Sequence, residues 1–213
     1  MGKTKQGGRK AVAVDRYHHG DLKAALIQAA DQILSEHGPE GFSLREAARR
    51  AGVSAAAPAH HFGSAAGLLS EVALFGFEEL ARHLHVDPAA GTPVQRLRAQ
   101  GIGYVRFALT YPGRFQLMFR HDLLSHDHIA LQTAGERTLM QLEETIRAMR
   151  SIPQGRPMDA PARAELLAAW SVVHGFAHLA LGGKLARLRA GATSDDLLAD
   201  ILPKVLENQW PDP

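Results

Sequence analysis

Histidine gives this chain most of its capacity for metal binding and acid–base chemistry, because the sequence holds twelve histidines and no cysteine. Side chains of the kinds that bind zinc lie close together at His121, Asp122, His126, Asp127 and His128. They fall in a predicted loop and match no established ligand spacing. We therefore favour a solvated connector over a metal site and expect no bound metal.

A second pair, His174 and His178, is spaced by four residues on a predicted helix, where two imidazoles could share a metal ion. Trp170, Ala177 and Leu181 continue the same stripe, which favours a packing face at a pocket or a subunit interface. The sequence shows no paired nucleophile and base and no phosphate-binding loop. We expect no catalytic residue, no cofactor and no enzyme; a histidine-dependent metal hydrolase is the weakest alternative.

Lysine and arginine are the other side chains that could support a function, and their excess over Asp and Glu lies near the N-terminus. Residues 1–63 carry nine Lys and Arg against six Asp and Glu, whereas residues 64–213 carry fifteen against sixteen. The glycine-containing segment 1–16 is interpreted as a flexible basic arm. Such an arm either reaches a DNA backbone or only keeps the protein in solution, and both alternatives stay open.

Composition limits the class of protein. Apolar residues make up 46% and charged residues 22%, which is typical of a folded globular protein and excludes a disordered one. The absence of cysteine excludes disulfides and thiolate metal sites and favours a cytoplasmic setting. No export signal is expected, since no apolar run follows the basic start. The apolar run Leu166–Leu181 is shorter than the roughly 20 residues that cross a bilayer, so we predict a buried helix and no membrane partner.

The elements that must position these side chains are all helical. Apolar residues recur at spacings of three and four, with no strand alternation of useful length. We predict an all-α, two-domain protein of nine helices. Their predicted bounds are about 21–37, 44–50, 54–62, 64–84, 92–111, 114–120, 129–149, 162–181 and 194–208.

The second and third predicted helices carry the pattern of a helix-turn-helix. Ser43 is predicted to cap the second helix, with Glu46 completing a capping box. Gly52 can adopt the left-handed conformation of a tight turn, and Val53 supplies an apolar residue at the corner. Ala47 is small, as the crossing point of two helices requires.

This pattern and its surroundings resemble the TetR family of bacterial transcriptional repressors. The similarity runs from Tyr17–Leu22, through the helix-turn-helix, to His61–Ser64. Tyr111–Phe119 and Trp170–Gly175 resemble the regulatory domain of one branch, named WHG after its Trp-x-x-x-His-Gly signature. The resemblance implies an all-helical homodimer in the bacterial cytoplasm whose head binds operator DNA and whose body releases it on binding a small molecule.

We accordingly divide the chain into the arm at 1–16, a DNA-binding head at 17–63, a connecting fourth helix at about 64–84 and a ligand-binding and dimerisation domain at 85–213. The residues predicted to contact DNA are Arg16, Tyr17, His18, Ser43, Arg45, Ser54, Ala55, Ala56, Ala57, His60 and His61.

Two further sets of residues are predicted in the body. A cavity between helices five to eight is expected from aromatic and Met side chains with a few polar groups, which suit an apolar effector. Its predicted lining is Tyr104, Phe107, Phe115, Met118, Phe119, Met140, Trp170 and His174. Helices eight and nine are expected to pair with a second subunit as a four-helix bundle. Their predicted contacts are Val173, Ala177, Leu181, Leu198, Ile201, Leu202 and Val205.

The third helix carries a proline that resembles the WHG branch, and two residues within and just after the helix depart from the family pattern. Pro58 lies where a helix is expected after a Ser54 cap, so we predict a loosened or shifted first turn. The family usually has an aromatic residue at Ala59 and a lysine at Ala65, and both are missing. Weaker DNA binding is expected unless the basic arm compensates. An interaction protein that has lost DNA readout therefore stays an alternative to the repressor.

Overall fold

A computed structural model describes residues 13–187 and 196–212, with side chains over 22–185 and 196–212. Within these residues the fold is all-α, as predicted. The nine α-helices are α1 (Ala13–His37), α2 (Leu44–Arg50), α3 (Ala57–Phe62), α4 (Ala65–Leu84), α5 (Pro93–Thr110), α6 (Pro112–Met118), α7 (Ile129–Met149), α8 (Ala160–Leu181) and α9 (Leu202–Gln209). A 3-10 turn at Pro39–Gly41 joins α1 to α2.

The head is built on α1, which begins eight residues earlier than predicted. Residues 13–16 of the predicted arm are therefore helical, and residues 1–12 lie outside the described part of the chain. Leu26 and Ile33 of α1, Ala47 of α2 and Leu68 of α4 are completely buried in one core. This core fixes α2 and α3 against the start of α4.

The turn between α2 and α3 has the predicted left-handed glycine. Gly52 has φ +69°, and the amide of Val53 donates to the carbonyl of Ala48 at 3.0 Å, which closes a Schellman motif. The predicted capping box is wrong: Ser43 precedes α2 but its side chain makes no cap hydrogen bond. The carboxylate of Glu46 accepts hydrogen bonds from Arg49 and Arg50 instead, so it is not available to the Ser43 amide.

Pro58 explains where α3 begins. The helix starts at Ala57, and its first intrahelical bond runs from the His60 amide to the Ala56 carbonyl at 3.1 Å. Pro58 is therefore the second helical residue, where a helix amide has no intrahelical partner to lose. The predicted shift of the first turn is confirmed, whereas the prediction of Ser54 as the cap is wrong.

The body is formed by the remaining helices around α5. Thr92 and Gln95 form a capping box at the start of α5, and Tyr104 and Phe107 of this helix are buried together with Phe115 of α6. The helix α4 extends from the head into the body, where it packs on α5 and α7. The helix α6 begins two residues earlier than predicted, with proline in its first turn.

Head and body meet where α6 packs on α1. The Arg114 guanidinium donates two hydrogen bonds to the Asp31 carboxylate at 2.7 and 2.6 Å. Beside it, a Cβ placed on Gly113 would lie 2.4 Å from the carbonyl oxygen of Leu34, so the two backbones are in close contact. Just beyond α6, Arg120 donates to Glu40 of the head. The junction therefore combines packing with paired charges.

The C-terminal part differs from the predicted continuous ninth helix. Residues 188–195 lie outside the described part, which includes the predicted start at Ser194. A π-helical turn, Leu197–Ile201, precedes α9. Pro203 has no amide hydrogen to donate four residues back, which accounts for the break in the α-helical ladder.

The helix α8 is less buried than predicted. Within the described protein only Ala162, Ala169, Val173 and Ala177 of this helix are buried, while Leu167 is 56% and Leu179 49% exposed. Among the described residues it is the one helix long and apolar enough to cross a membrane by length and composition. The core helix of a folded protein meets the same criteria of length and composition, and four residues of α8 are buried against other helices.

Candidate DNA-binding face and interior cavity

The outward face of the helix-turn-helix consists mainly of short side chains. Ser54, Ala55, Ala56 and Ala59 are exposed around the start of α3, whereas Pro58 is buried beneath them. Ala57 and His61 are half-buried, and Ser43 is exposed before α2. The methyl groups on this face can contact thymine, and the exposed serines can hydrogen-bond to phosphates.

Charge on the neighbouring face of α2 is largely neutralised. Arg49 donates two hydrogen bonds to Glu46, at 2.8 and 2.7 Å, and Arg50 bridges Glu46 and Glu36. Hydrogen bonds from Arg49 and Arg50 lower the pKa of the Glu46 carboxyl to about 2. Arg45 is exposed and makes no hydrogen bond or ion pair with any described residue. It is the free cation of α2.

Two histidines lie in the last turn of α3. The rings of His60 and His61 stack with centroids 5.3 Å apart, and His60 is exposed. Behind them, Lys23 of α1 lies over the Phe62 ring at 5.3 Å and 3.8 Å from Glu71, so its charge is already engaged. The backbones of Arg16, Tyr17 and His18 belong to α1, and their side chains lie outside the described residues.

The body encloses a cavity of about 420 Å³. Its walls come from α4, α5, the end of α6, the loop 119–128, α7, α8 and α9. The lining is mostly apolar or aromatic, with polar groups grouped on the loop and on α7. The lining includes Leu80, Leu84, Leu97, Gln100, Tyr104, Met118, Phe119, His121, His126, Gly135, Glu136, Leu139, Trp170, Val173, Leu206 and Trp210.

Half of the predicted ligand residues line this cavity, namely Tyr104, Met118, Phe119 and Trp170. The other four lie outside this lining, and their role in ligand binding stays a prediction. Phe107 and Phe115 are completely buried in the core, and His174 lies behind Tyr104. Met140 is 55% exposed on the outer side of α7, since its neighbour Leu139 takes the inward-facing position.

A hydrogen-bonded group of three side chains lies at one wall. The Tyr104 hydroxyl is 2.8 Å from His174 Nδ1, and the Trp170 indole N–H donates to the same hydroxyl at 3.4 Å. Burial raises the pKa of Tyr104, so this phenol stays neutral. Burial, and then the nearby His178, lower the pKa of His174, so the imidazole is neutral at neutral pH and can accept a hydrogen bond from the tyrosine O–H.

The metal interpretations find no support in the geometry of the described residues. Among them, no three His, Asp or Glu side chains are grouped in a way that could hold an ion. His174 and His178 have ring centroids 4.6 Å apart and pack on Phe115. His121 and His126, interpreted as part of a solvated connector, line the cavity instead. The loop was missed as a wall because its position depends on contacts with α4, where Ser70 accepts a hydrogen bond from the Ser125 amide.

The predicted dimer residues divide into two groups. Val173, Ala177 and Leu202 are buried in the core of the described chain, which leaves them little surface for a second subunit, and their role at the interface stays a prediction. Leu181, Leu198, Ile201 and Val205 keep partly exposed side chains and stay candidates. Sequence reasoning missed the exposed Leu167 and Leu179, whose apolar type on a long helix was the available signal.

Two family models match the chain. Residues 26–72 match the model described as "Bacterial regulatory proteins, tetR family", and residues 97–203 match the model described as "Tetracyclin repressor-like, C-terminal domain". The first covers the helix-turn-helix, and the second covers most of the helices around the cavity. No curated protein matches the sequence.

Solved structures share the fold over most of the chain. A protein of unknown function from Rhodococcus sp. RHA1 is 30% identical, with 92% of this chain and 98% of that chain covered and a TM-score of 0.71. A tetR-family regulatory protein from Rhodococcus RHA1 is 18% identical, with coverages of 87% and 95% and a TM-score of 0.62. AibR, in complex with isovaleryl coenzyme A and operator DNA, is also 18% identical, with coverages of 90% and 100% and a TM-score of 0.62.

Proposed function

Because the chain belongs to the TetR family of bacterial transcriptional regulators, we propose that it is a cytoplasmic repressor that binds a pseudo-palindromic operator as a homodimer. A small molecule that enters the body cavity releases it. The observation that carries this proposal is the exposed face of α2 and α3, where an unpartnered Arg45 borders a surface of short side chains. Such a face fits closely into a major groove.

Two-fold symmetry sets the form of the operator. We propose that each head, residues 17–63, reads one half-site. Half-sites lie about one helical turn apart, roughly 34 to 36 Å, or a multiple of it. The outward stripe of α8, with Leu167 and Leu179, is the proposed centre of the dimer interface, because it is apolar and uncovered within the described chain. A Cβ on Gly175 of this helix would meet no atom within 4 Å, which leaves room for a partner.

The helix α6 supplies the route from cavity to head. Its last residue, Met118, lines the cavity, and the following Phe119 does so as well. Its second and third residues, Gly113 and Arg114, contact α1. A ligand that moves the end of α6 therefore acts on the helix that carries the head. Only a difference in ligand affinity between the two head positions can drive release.

Selection from random duplex DNA tests the proposal. Wild type and Arg137→Ala, which removes an exposed arginine of α7, should enrich the same palindrome. Arg45→Ala should lose the enrichment, because a free cation beside the groove supplies phosphate or base contacts. If no variant enriches a palindrome, the protein is an interaction protein that has lost DNA readout. If Arg45→Ala enriches the same site as well as wild type, the proposed reading face is wrong.

A further inference from the structure

The charge of the cavity wall restricts the chemistry of its ligand. Among its lining residues, all within the described part of the chain, there is no lysine or arginine, and Glu136 is the one carboxylate. We propose that the effector is an uncharged molecule with a long apolar body and one hydrogen-bonding group, and not a carboxylate, a phosphate or a coenzyme A thioester. This inference rests on the proposed function of the cavity as the effector site.

The interior favours an apolar body. Leu80, Leu84, Leu97, Met118 and Leu206 line the cavity and are almost completely buried. An anion placed among such side chains loses its hydration and finds no opposite charge, and a cation finds the one carboxylate, Glu136, only at an exposed position. The buried Oε1 atom of Gln100 has no hydrogen-bond partner, while the Nε2 atom donates to the carbonyl of Gln141 at 3.3 Å. The unpaired oxygen adds a partial negative charge to the wall and disfavours an anion further.

The polar group of the ligand has a partner at Trp170. The indole N–H lies 3.4 Å from the Tyr104 hydroxyl, which is longer than a normal hydrogen bond and leaves the N–H weakly bonded. The Tyr104 hydroxyl has a stronger contact to His174 at 2.8 Å. A ligand oxygen can therefore take the indole N–H without breaking the tyrosine–histidine pair. A neutral N–H donor suits a hydroxyl or carbonyl oxygen and does not balance a full negative charge.

The rim of the cavity does not supply a cation either. Arg120, in the loop 119–128, is bound to Asp122 and to Glu40 of the head. The exposed carboxylate of Glu136 lies on the wall nearby. The remaining basic side chains of the lining are the loop histidines His121 and His126. An anionic head group at the rim therefore meets the Glu136 carboxylate and no lysine or arginine of the lining.

Three probes with the same chain separate the possibilities: 1-decanol, decanoate and decylammonium. Trp170 and Trp210 are the two tryptophans of the sequence and both line the cavity, so tryptophan fluorescence of the full chain reports binding. At about pH 8 we expect decanol to bind at least about tenfold tighter than decanoate, which corresponds to 1.4 kcal/mol. Decylammonium should also bind more weakly than decanol. Tighter or equal binding of either ion, or no binding of decanol, overturns the inference.

A charge placed in the wall provides the matched test. Leu139→Lys puts an ammonium at a lining position that is 41% exposed, so the variant can fold with its charge near water. It should raise the affinity for decanoate to that of decanol. Ile129→Lys adds the same charge at a 77% exposed position of α7 outside the lining and should leave the preference unchanged. If Leu139→Lys leaves the wild-type preference unchanged, lining charge does not decide selectivity and the inference is wrong.

Operator binding, measured separately, distinguishes the two levels of the account. If the protein binds its operator but none of the probes, the inference about the ligand fails and the regulator stands. If decanol binds in the cavity and leaves operator affinity unchanged, the ligand class stands and the proposed release mechanism fails.

Discussion

The reading face of the head and the cavity of the body are both poor in free positive charge, for opposite reasons. The head contains Arg45, Arg49 and Arg50 on one short helix, and carboxylates occupy two of them. The cavity wall has no lysine or arginine within the described residues. The head thus neutralises two of the cations that it has, whereas we propose that the cavity selects its ligand by an apolar wall and by neutral hydrogen bonds. With one free arginine on α2, we expect the head to bind DNA weakly unless the basic arm at 1–16 compensates.

The two regions are joined by α6, along which we propose that a change in one reaches the other. One end of this seven-residue helix forms cavity wall, and the other end is held on α1 by Arg114 and by the close approach of Gly113. Substitutions in one region, or at the junction, should leave the other region intact.

The largest effect is expected from Phe115→Ala in the body. Phe115 is completely buried and packs against the rings of Tyr104, Phe119 and His174. Removing the ring leaves a cavity, so the free energy of unfolding in guanidinium chloride should fall by about 3–5 kcal/mol. Phe75→Ala, at a 44% exposed site of α4, is the control and should cost far less. Equal losses would mean that Phe115 is not part of a tightly packed core.

Gly113→Ala should weaken the contact between head and body at their junction. The new Cβ would lie 2.4 Å from the Leu34 carbonyl oxygen, so α6 must move away from α1. We expect a loss of about 1–3 kcal/mol in unfolding free energy and a weaker effect of bound ligand on operator affinity. Gly135→Ala, whose Cβ would lie 3.7 Å from the Phe77 ring, should not lower stability. Unchanged release in Gly113→Ala would exclude this contact as the route from cavity to head.

Glu46→Gln should increase the free positive charge of the head and leave the charge of the cavity unchanged. The carboxylate holds Arg49 and one side of Arg50, so its removal frees Arg49 beside the reading face, while Glu36 keeps Arg50. Affinity for non-specific DNA should rise about tenfold at low salt, and the salt dependence should steepen by about one unit of slope per new phosphate contact. Glu143→Gln frees Arg147 in the body and should change neither quantity. A flat salt response in wild type and both variants would argue against backbone contacts by this face.

The smallest effect concerns pH in the body. Burial, and then His178, lower the pKa of His174 below its ordinary value of 6.5. The unfolded chain therefore binds a proton more readily than the folded one, so the stability from neutral His174 is present above about pH 6.5 and is lost as pH falls. The melting temperature of wild type should drop between about pH 7 and pH 5 by more than that of His174→Gln. His60→Gln, at an exposed site of the head, should behave as wild type.

Local sequence determined much of the head and less of the cavity. The bounds of α2 and the left-handed turn at Gly52 were predictable, because they depend on residues within one turn of the chain. The capping box at Ser43 was not, since Glu46 is held by Arg50, which in turn binds Glu36 on another helix. The competing partner is distant in sequence and leaves no local signal.

The lining of the cavity was even less predictable from local sequence than the capping of α2. Helical spacing placed Tyr104 and Phe107 on one side of α5, but it does not say which of them meets empty space. That depends on how α4, α7 and α9 pack around α5. The same tertiary packing places the loop residues His121 and His126 in the lining. Aromatic composition predicted that a cavity exists, and tertiary packing decided its lining.

The central claim is that α2 and α3 of two subunits face successive major grooves of one duplex. Hydroxyl-radical footprinting on the selected operator tests this most directly. The account predicts two protected patches on the same face of the DNA, centred about 34 to 36 Å or a multiple of that distance apart, with both lost in Arg45→Ala. A single continuous patch, or protection that persists in Arg45→Ala with the same strength, would contradict it.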